Sequence, residues 1–273
     1  GSLFVGDWSV DGGRILQLPA GTTTPTPLPV TGLEGPCAMT VDHQQTLYVL
    51  DGCSNAGSRL LKIPAGSTTP IELTPELPAG GKDIAVDSKG NLYLVCSNRF
   101  GAWLVKLAPG ATKPIELAHD GIESPTSVAV DSSDNVYVAG YPGKLGRIAA
   151  GSTALDVLPF AASGDAYLSD ISVDAGGTVY LLETRTGPAP DYVSTSKIFA
   201  LPEGASTTSE LSVDDRLTNL DAIVADYIET GIWSKKAIEE AQRYGNINVA
   251  ASAKGYDYFA LGHVHQRQVR SEE

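Results

Sequence analysis

The chain is poor in sulfur, in charge and in basic residues. Met occurs once, Cys three times, aromatics make up 7% and charged residues only 19% of 273 positions. Three cysteines are too few for a disulfide-dense scaffold. Sparse charge excludes a coiled coil, a long-helix bundle and a highly charged disordered chain. Lys and Arg number 19 against 32 Asp and Glu, a formal charge of −13. That balance argues against a nucleic-acid partner, whose affinity rests largely on cations neutralising the phosphate backbone. No apolar run reaches the about 20 residues that a membrane-spanning helix needs. No signal peptide precedes the strand-like Leu3-Phe4-Val5, so Gly1-Ser2 is expected to open a processed or excised domain. What is abundant is Gly (29) and Pro (17), together with 42% apolar residues. That mixture favours many short strands joined by tight turns around a core.

The chain repeats itself. Ala38–Asp42, Asp83–Asp87, Ser127–Asp131 and Asp170–Asp174 share one apolar pattern ending in Val-Asp, with the aspartates 45, 44 and 43 residues apart. A polar turn and a second strand follow each: Leu47-Tyr48-Val49, Leu92-Tyr93-Leu94, Val136-Tyr137-Val138 and Val179-Tyr180-Leu181. A third strand then ends in a small-residue turn, five times over: Leu18–Gly21, Ile63–Gly66, Leu107–Gly110, Ile148–Gly151 and Leu201–Gly204. A fourth strand such as Thr69–Leu73 completes the unit. Four short strands in about 44 residues make one blade of a β-propeller. Each Val-Asp carboxylate stands where it can accept hydrogen bonds from the N–H groups of the next turn, so these aspartates read as structural.

The cycle of Val-Asp, Gly-Asn-Leu-Tyr, Arg-Leu-Leu-Lys-Ile and Pro-Ala-Gly-Ser-Thr-Thr resembles NHL-repeat β-propellers, in particular the extracellular sensor domains of mycobacterial Ser/Thr kinases. The likeness covers residues 1 to about 217. It implies a six-bladed ring used as a ligand- or protein-binding module at the cell surface or outside the cell. Two departures stand out: Asp134 replaces the usual turn glycine, and the fifth repeat carries an insertion around Arg185–Thr195. The first repeat starts at its second strand. Leu220–Asp226, which aligns with Leu168–Asp174, either closes that first blade to give five or begins a sixth completed by the tail. The fold class expected is all-β: a propeller over 1–217 with a short mixed tail over 218–273.

The tail is different material. None of the 17 prolines and only four of the 29 glycines lie beyond residue 218. Ser234–Tyr244 reads as a capped amphipathic helix, and Asn246–Ala250 alternates like a strand. Ala225–Ser252 is similar to a short internal segment of phosphoserine aminotransferases, a family in which the Trp matching Trp233 stacks on pyridoxal phosphate. The Gly-rich phosphate-binding segment, the Schiff-base lysine motif and the pyridinium aspartate have no counterparts here, and one stacking face cannot run cofactor chemistry without them. No cofactor is therefore expected, and Trp233 is read as packing onto the propeller. Tyr256–His265 resembles the closing Gly-His-x-His motif of calcineurin-like metallophosphoesterases, which makes His263 and His265 the weak metal-ligand candidates. The only other histidines, His43 and His119, do not match the upstream motifs of that family.

Pairing the second repeat's first two strands about Asp42 and Leu47 sets Cys37 opposite Gly52, one position from Cys53. A small bulge would bring the two thiols within bridging range, so a Cys37–Cys53 disulfide and a free pair both stay open. Cys96 has no evident partner. An extracytoplasmic setting is expected.

Strand direction alternates within a blade, so the second-to-third-strand loops share one face with the inter-blade connections. Those loops carry Trp8, Arg99, Phe100, Tyr141, Arg185 and Tyr192. Aromatic rings and Arg are the residues that dominate interface hot spots. These six are the expected ligand-binding residues, for a protein, peptide or glycan partner, unless the rings merely fill the blade mouths. No Ser-His-Asp or Glu-rich constellation emerges, so a non-catalytic binding or sensor propeller is expected. The alternatives are a propeller lyase or hydrolase, or a truncated or artificial chimera with a vestigial aminotransferase-like tail.

Overall fold

The computed structural model describes residues 2–7, 13–19, 22, 24–54, 57–160, 167–186, 194–211, 222–225 and 258–261. Five antiparallel blades follow one another in chain order. The first is three-stranded: β1 (Ser2–Asp7), β2 (Arg14–Pro19) and β3 (Thr26–Pro27). The second comprises β4 (Pro36–Val41), β5 (Leu47–Ser54), β6 (Gly57–Ile63) and β7 (Ile71–Leu73). The third comprises β8 (Gly80–Val86), β9 (Leu92–Asn98), β10 (Gly101–Leu107) and β11 (Ile115–Glu116). The fourth comprises β12 (Ser124–Val130), β13 (Val136–Tyr141), β14 (Lys144–Ile148) and β15 (Leu155–Val157). The fifth comprises β16 (Tyr167–Val173), β17 (Val179–Thr186), β18 (Ser194–Leu201) and β19 (Ser209–Leu211). The five small-residue turns counted in the sequence thus mark the five blades; the fold is the all-β propeller expected, with five blades where the family resemblance implied six.

Beyond them β20 (Ala222–Ala225) pairs with β21 (Tyr258–Leu261), Ala222 opposite Leu261 and Ala225 opposite Tyr258. β20 packs on β16 and β17 as the next inner strand would. Among the described residues its partner is the tail strand β21 and not β1, so the first blade keeps three strands. The expected helix over Ser234–Tyr244 and strand over Asn246–Ala250 lie outside the described residues, as do Trp233, His263 and His265.

The core lies between blades. Leu92, Leu94 and Cys96 on β9 pack towards the second blade with Leu50, Leu60 and Ile84. Tyr93 and Val95, the alternate positions, pack towards the fourth with Val128, Val136 and Val138. A strand buried on both faces reads as a continuous apolar run, which is why the second strands stand out in the sequence. Ala129, Leu145, Leu168 and Leu181 form the same kind of layer between the fourth and fifth blades, where Phe160 meets Phe199 edge-on at 5.4 Å.

The Val-Asp carboxylates organise the turns at one end of the blades. Asp87 Oδ1 accepts from the N–H groups of Lys89 and Asn91, and its Oδ2 accepts from Asn91 Nδ2 and the Tyr93 hydroxyl. Asp131 repeats the set with Ser133, Asn135 and Tyr137, and Asp174 holds Thr178 and Tyr180. Burial, then the charge of Asp131, pushes the Tyr137 phenol up to about 12, so it keeps its proton and donates. The third turn residue after each aspartate takes positive φ: Gln45 (61°), Gly90 (79°), Asp134 (65°) and Gly177 (78°). Asp134 is therefore a substitution at a glycine position that keeps the glycine conformation. Its carboxylate accepts from the N–H and hydroxyl of Ser88 in the neighbouring blade, each at 2.8 Å, and those bonds hold it below the usual carboxylate range.

Every complete blade carries a β-bulge in its inner strand. The extra residue is Cys37, Lys82, Thr126 or Ser169, always five positions before the blade aspartate. The register differs from the one expected for the second blade. Val41 pairs with Leu47, and Pro36 pairs with Asp51, so Cys37 is the unpaired bulge residue and does not face Gly52. The cause is the turn, which takes in Asp42 through Thr46 and shifts the pairing by one. Cys37 is disulfide-bonded. Cys96 is a buried free thiol. The side chain of Cys53, the partner expected, lies outside the described residues.

Candidate binding face

Equivalent residues of neighbouring inner strands touch one another, which sets those strands parallel and puts equivalent loops on one face. Ser127 Oγ lies 2.5 Å from Asp83 and 2.9 Å from Asp170, all three being four positions before their blade aspartates. The loops after β5, β9, β13 and β17 and the starts of β8, β12 and β16 therefore converge at one end. The aspartate-organised turns occupy the other.

On that face the third blade closes with a two-residue loop, Arg99-Phe100, between paired Asn98 and Gly101. Asn98 Oδ1 accepts from the Phe100 N–H at 2.8 Å, a side chain imitating the turn's own backbone acceptor. This presents Phe100 to solvent at 78% exposure, with the Arg99 guanidinium stacked over its ring at 4.6 Å. Phe100 is thus not buried in a blade mouth, so filling of the core does not account for it. In the fourth blade Gly140 pairs with Lys144 around Tyr141-Pro142-Gly143, and Tyr141 is 38% exposed. Arg185, at the end of β17, lies 3.4 Å from the buried Glu183 carboxylate and is half exposed. Asp7 and Arg14 clamp the first blade's loop at 2.7 Å.

The structure brings Arg99 and Phe100 into contact and places Tyr141 and Arg185 on the same face in the next two blades. Trp8 and Tyr192 fall in loops outside the described residues. Tyr167, 46% exposed, is an aromatic that loop-by-loop reading passed over. It begins β16 and pairs with Thr184, which puts it on the same rim. The signal was present: inner strands start where second strands end, so their first residues share the loop face. Behind this rim the second blade is pinned by Asp51, fully buried, which accepts from the N–H groups of Glu34 and Gly35 and pairs with Arg59.

Among the described residues no group of three or more His, Cys, Asp or Glu side chains could hold a metal ion. Burial pushes the Cys96 thiol up to about 12, which leaves almost no thiolate at neutral pH. No helix among the described residues is long and apolar enough to cross a membrane.

No family model matches the chain. Solved structures share its fold. A chain of a nidogen/laminin complex superposes with a TM-score of 0.60 at 14% identity, covering 83% of this chain and 82% of that one. A TolB-like protein of Agrobacterium tumefaciens gives 0.59 at 12% identity, over 77% and 81%. A protein of Bacteroides thetaiotaomicron gives 0.57 at 12% identity, over 96% and 67%. Curated sequences match a short piece instead. A stretch of 38 residues, 14% of the chain, is 87% identical to phosphoserine aminotransferase of Ectopseudomonas mendocina, and 84% identical to that of Pseudomonas aeruginosa. The chain spans about a tenth of the length of these relatives. At these identities the solved structures establish the propeller, and the curated sequences establish a local likeness to the aminotransferases.

Proposed function

We propose that this chain is a non-catalytic propeller of the NHL type, working as a sensor or binding module outside the cell or at its surface. Its ligand is a protein, peptide or glycan that docks on the face carrying Arg99, Phe100, Tyr141 and Arg185, with Trp8 and Tyr192 as further ligand-binding residues. The observation that carries this reading is Phe100, 78% exposed at a hairpin tip under a stacked guanidinium. A hydrophobic ring held out to water with its cation already in place is the composition of an interface anchor. The disulfide at Cys37 favours an oxidising compartment. A propeller chain of similar fold belongs to a nidogen/laminin complex, which supports protein recognition as a use of this architecture. The aminotransferase-like segment lacks the groups that hold and activate pyridoxal phosphate, and it is read as vestigial.

The test is binding of the wild type and of the paired variant Phe100→Ala/Tyr141→Ala to protein and glycan arrays. The pair should weaken every wild-type hit at least about tenfold, roughly 1.4 kcal/mol, with the melting temperature nearly unchanged. If binding persists while stability falls, the rings are structural and the face is misassigned.

A further inference from the structure

Near the axis of the propeller, one hydroxyl stands between two carboxyl groups. Ser127 Oγ of β12 lies 2.5 Å from Asp83 Oδ2 of β8 and 2.9 Å from Asp170 Oδ1 of β16. The Ile171 N–H also donates to Ser127 Oγ, at 3.2 Å. A serine hydroxyl has one hydrogen and two lone pairs. It can donate to one carboxylate only; the other, if ionised, would set oxygen lone pairs against its own at hydrogen-bond distance. We propose that Asp83 and Asp170 share one proton through Ser127, as a pH-sensitive tie across the third, fourth and fifth blades.

The assignment completes every valence at the bridge. With the proton on Asp83, that carboxyl donates to Ser127 Oγ and Ser127 donates to Asp170 Oδ1; with it on Asp170 both bonds reverse, and in either form the Ile171 N–H fills the second lone pair. Asp83 Oδ2 also accepts from the Val128 N–H and Oδ1 from the Ile84 N–H, both at 2.8 Å, so no polar atom of that carboxyl is idle. Burial pushes the Asp83 carboxyl up against the opposing pull of those hydrogen bonds. Among the described residues, the titratable and charged groups on the strands packed around the bridge are engaged elsewhere or exposed, β4 carrying only the disulfide-bonded Cys37. Lys82, its neighbour on β8, is the exposed bulge residue. On β5 and β6, Asp51 pairs with Arg59 and Lys62 lies over the Tyr48 ring. On β10, Lys106 lies over the Tyr93 ring of β9, and Cys96 of β9 is a buried thiol. On β13, the Tyr137 hydroxyl is bonded to Asp131. On β17, Tyr180 is bonded to Asp174 and Glu183 faces Arg185.

The linkage has a definite sign. A carboxyl whose folded value is raised stabilises the fold while protonated, fully so below its ordinary value of 3.8. That contribution is lost as pH rises through the folded value, when the proton leaves to solvent and two carboxylates confront one hydroxyl.

Infrared spectra of the full chain, with thermal melts across pH, test the proposal. The wild type should show the carbonyl band of a protonated carboxylic acid at neutral pH, and the band should fade on alkaline titration as the melting temperature drops. Asp83→Asn, whose amide N–H replaces the carboxyl O–H as donor to Ser127, should lose that band and melt without the alkaline drop. A wild type with no such band at neutral pH, or a band undiminished in Asp83→Asn, overturns the proposal. Should that variant fail to fold, Asp170→Asn decides, since it frees the serine hydrogen for Asp83: loss of the band supports the shared proton and an unchanged band refutes it.

Discussion

Cysteine chemistry in this protein divides by position. Cys37 sits at a bulge, where the inner strand leaves its ladder, and it is disulfide-bonded. Cys96 is wholly buried in the layer between the second and third blades. Thiolate, not thiol, is the reacting species, and burial holds this thiol at about 12. Iodoacetamide under native conditions should therefore leave Cys96 unmodified, and unfolding should expose it to stoichiometric alkylation. A non-reducing digest read by mass spectrometry should find Cys37 linked to Cys53. Native labelling of Cys96, or a linked pair that includes it, would contradict this division. The spacing of Cys37 and Cys53 was legible in the sequence. The register was not, because one turn residue taken into or left out of the loop displaces every pair in the ladder.

At the scale of the element, the inner-strand bulge is the device that repeats most faithfully. It sits five residues before each blade aspartate, whatever residue fills it. In the fourth blade it brings the β12 backbone so close to β13 that a Cβ on Gly140 would lie 2.2 Å from the Ser124 carbonyl oxygen and 2.9 Å from Pro125 Cα. Backbone cannot move aside as a flexible side chain can. Gly140→Ala should therefore destabilise the protein by about 1–3 kcal/mol, the usual penalty of overpacking, measured as a shift in the denaturant midpoint. An unchanged midpoint would show that the bulge relaxes freely. Sequence periodicity revealed the four strands of a blade and their turns, because Val-Asp, Tyr and Gly recur at fixed spacing. The bulge has no residue signature: Cys, Lys, Thr and Ser occupy it, and only the hydrogen-bond ladder exposes it.

For the whole molecule, the propeller and the tail make separate claims on function. The local likeness to phosphoserine aminotransferases extends over 38 residues, about a tenth of those enzymes. A pyridoxal enzyme needs a lysine for the Schiff base, a phosphate cradle and a partner for the ring nitrogen, drawn from well-separated parts of its chain. Added pyridoxal phosphate should accordingly give no Schiff-base absorbance that survives dialysis. A stoichiometric adduct abolished by Trp233→Ala would reverse the reading of that segment. What the described part of the tail does contribute is structural: β21 pairs with β20, and β20 packs against the fifth blade.

The sequence by itself determined the propeller architecture and the four-stranded blade, while leaving the ring between five and six blades. Repeating apolar runs, turn glycines and blade aspartates are local features, and each blade is a meander whose pairing needs only neighbours in the chain. Even Asp134, out of place as a turn residue, was visible as a departure, though its bond to Ser88 in the next blade was not. Only the tertiary structure decided what lies between blades. Asp83, Ser127 and Asp170 sit 44 and 43 residues apart and meet because the inner strands run parallel in register about one axis. Tyr167 joins Phe100 and Tyr141 on one rim for the same reason. Those proximities depend on how far each blade is rotated from the last, a quantity set by packing of whole sheets and written in no single repeat.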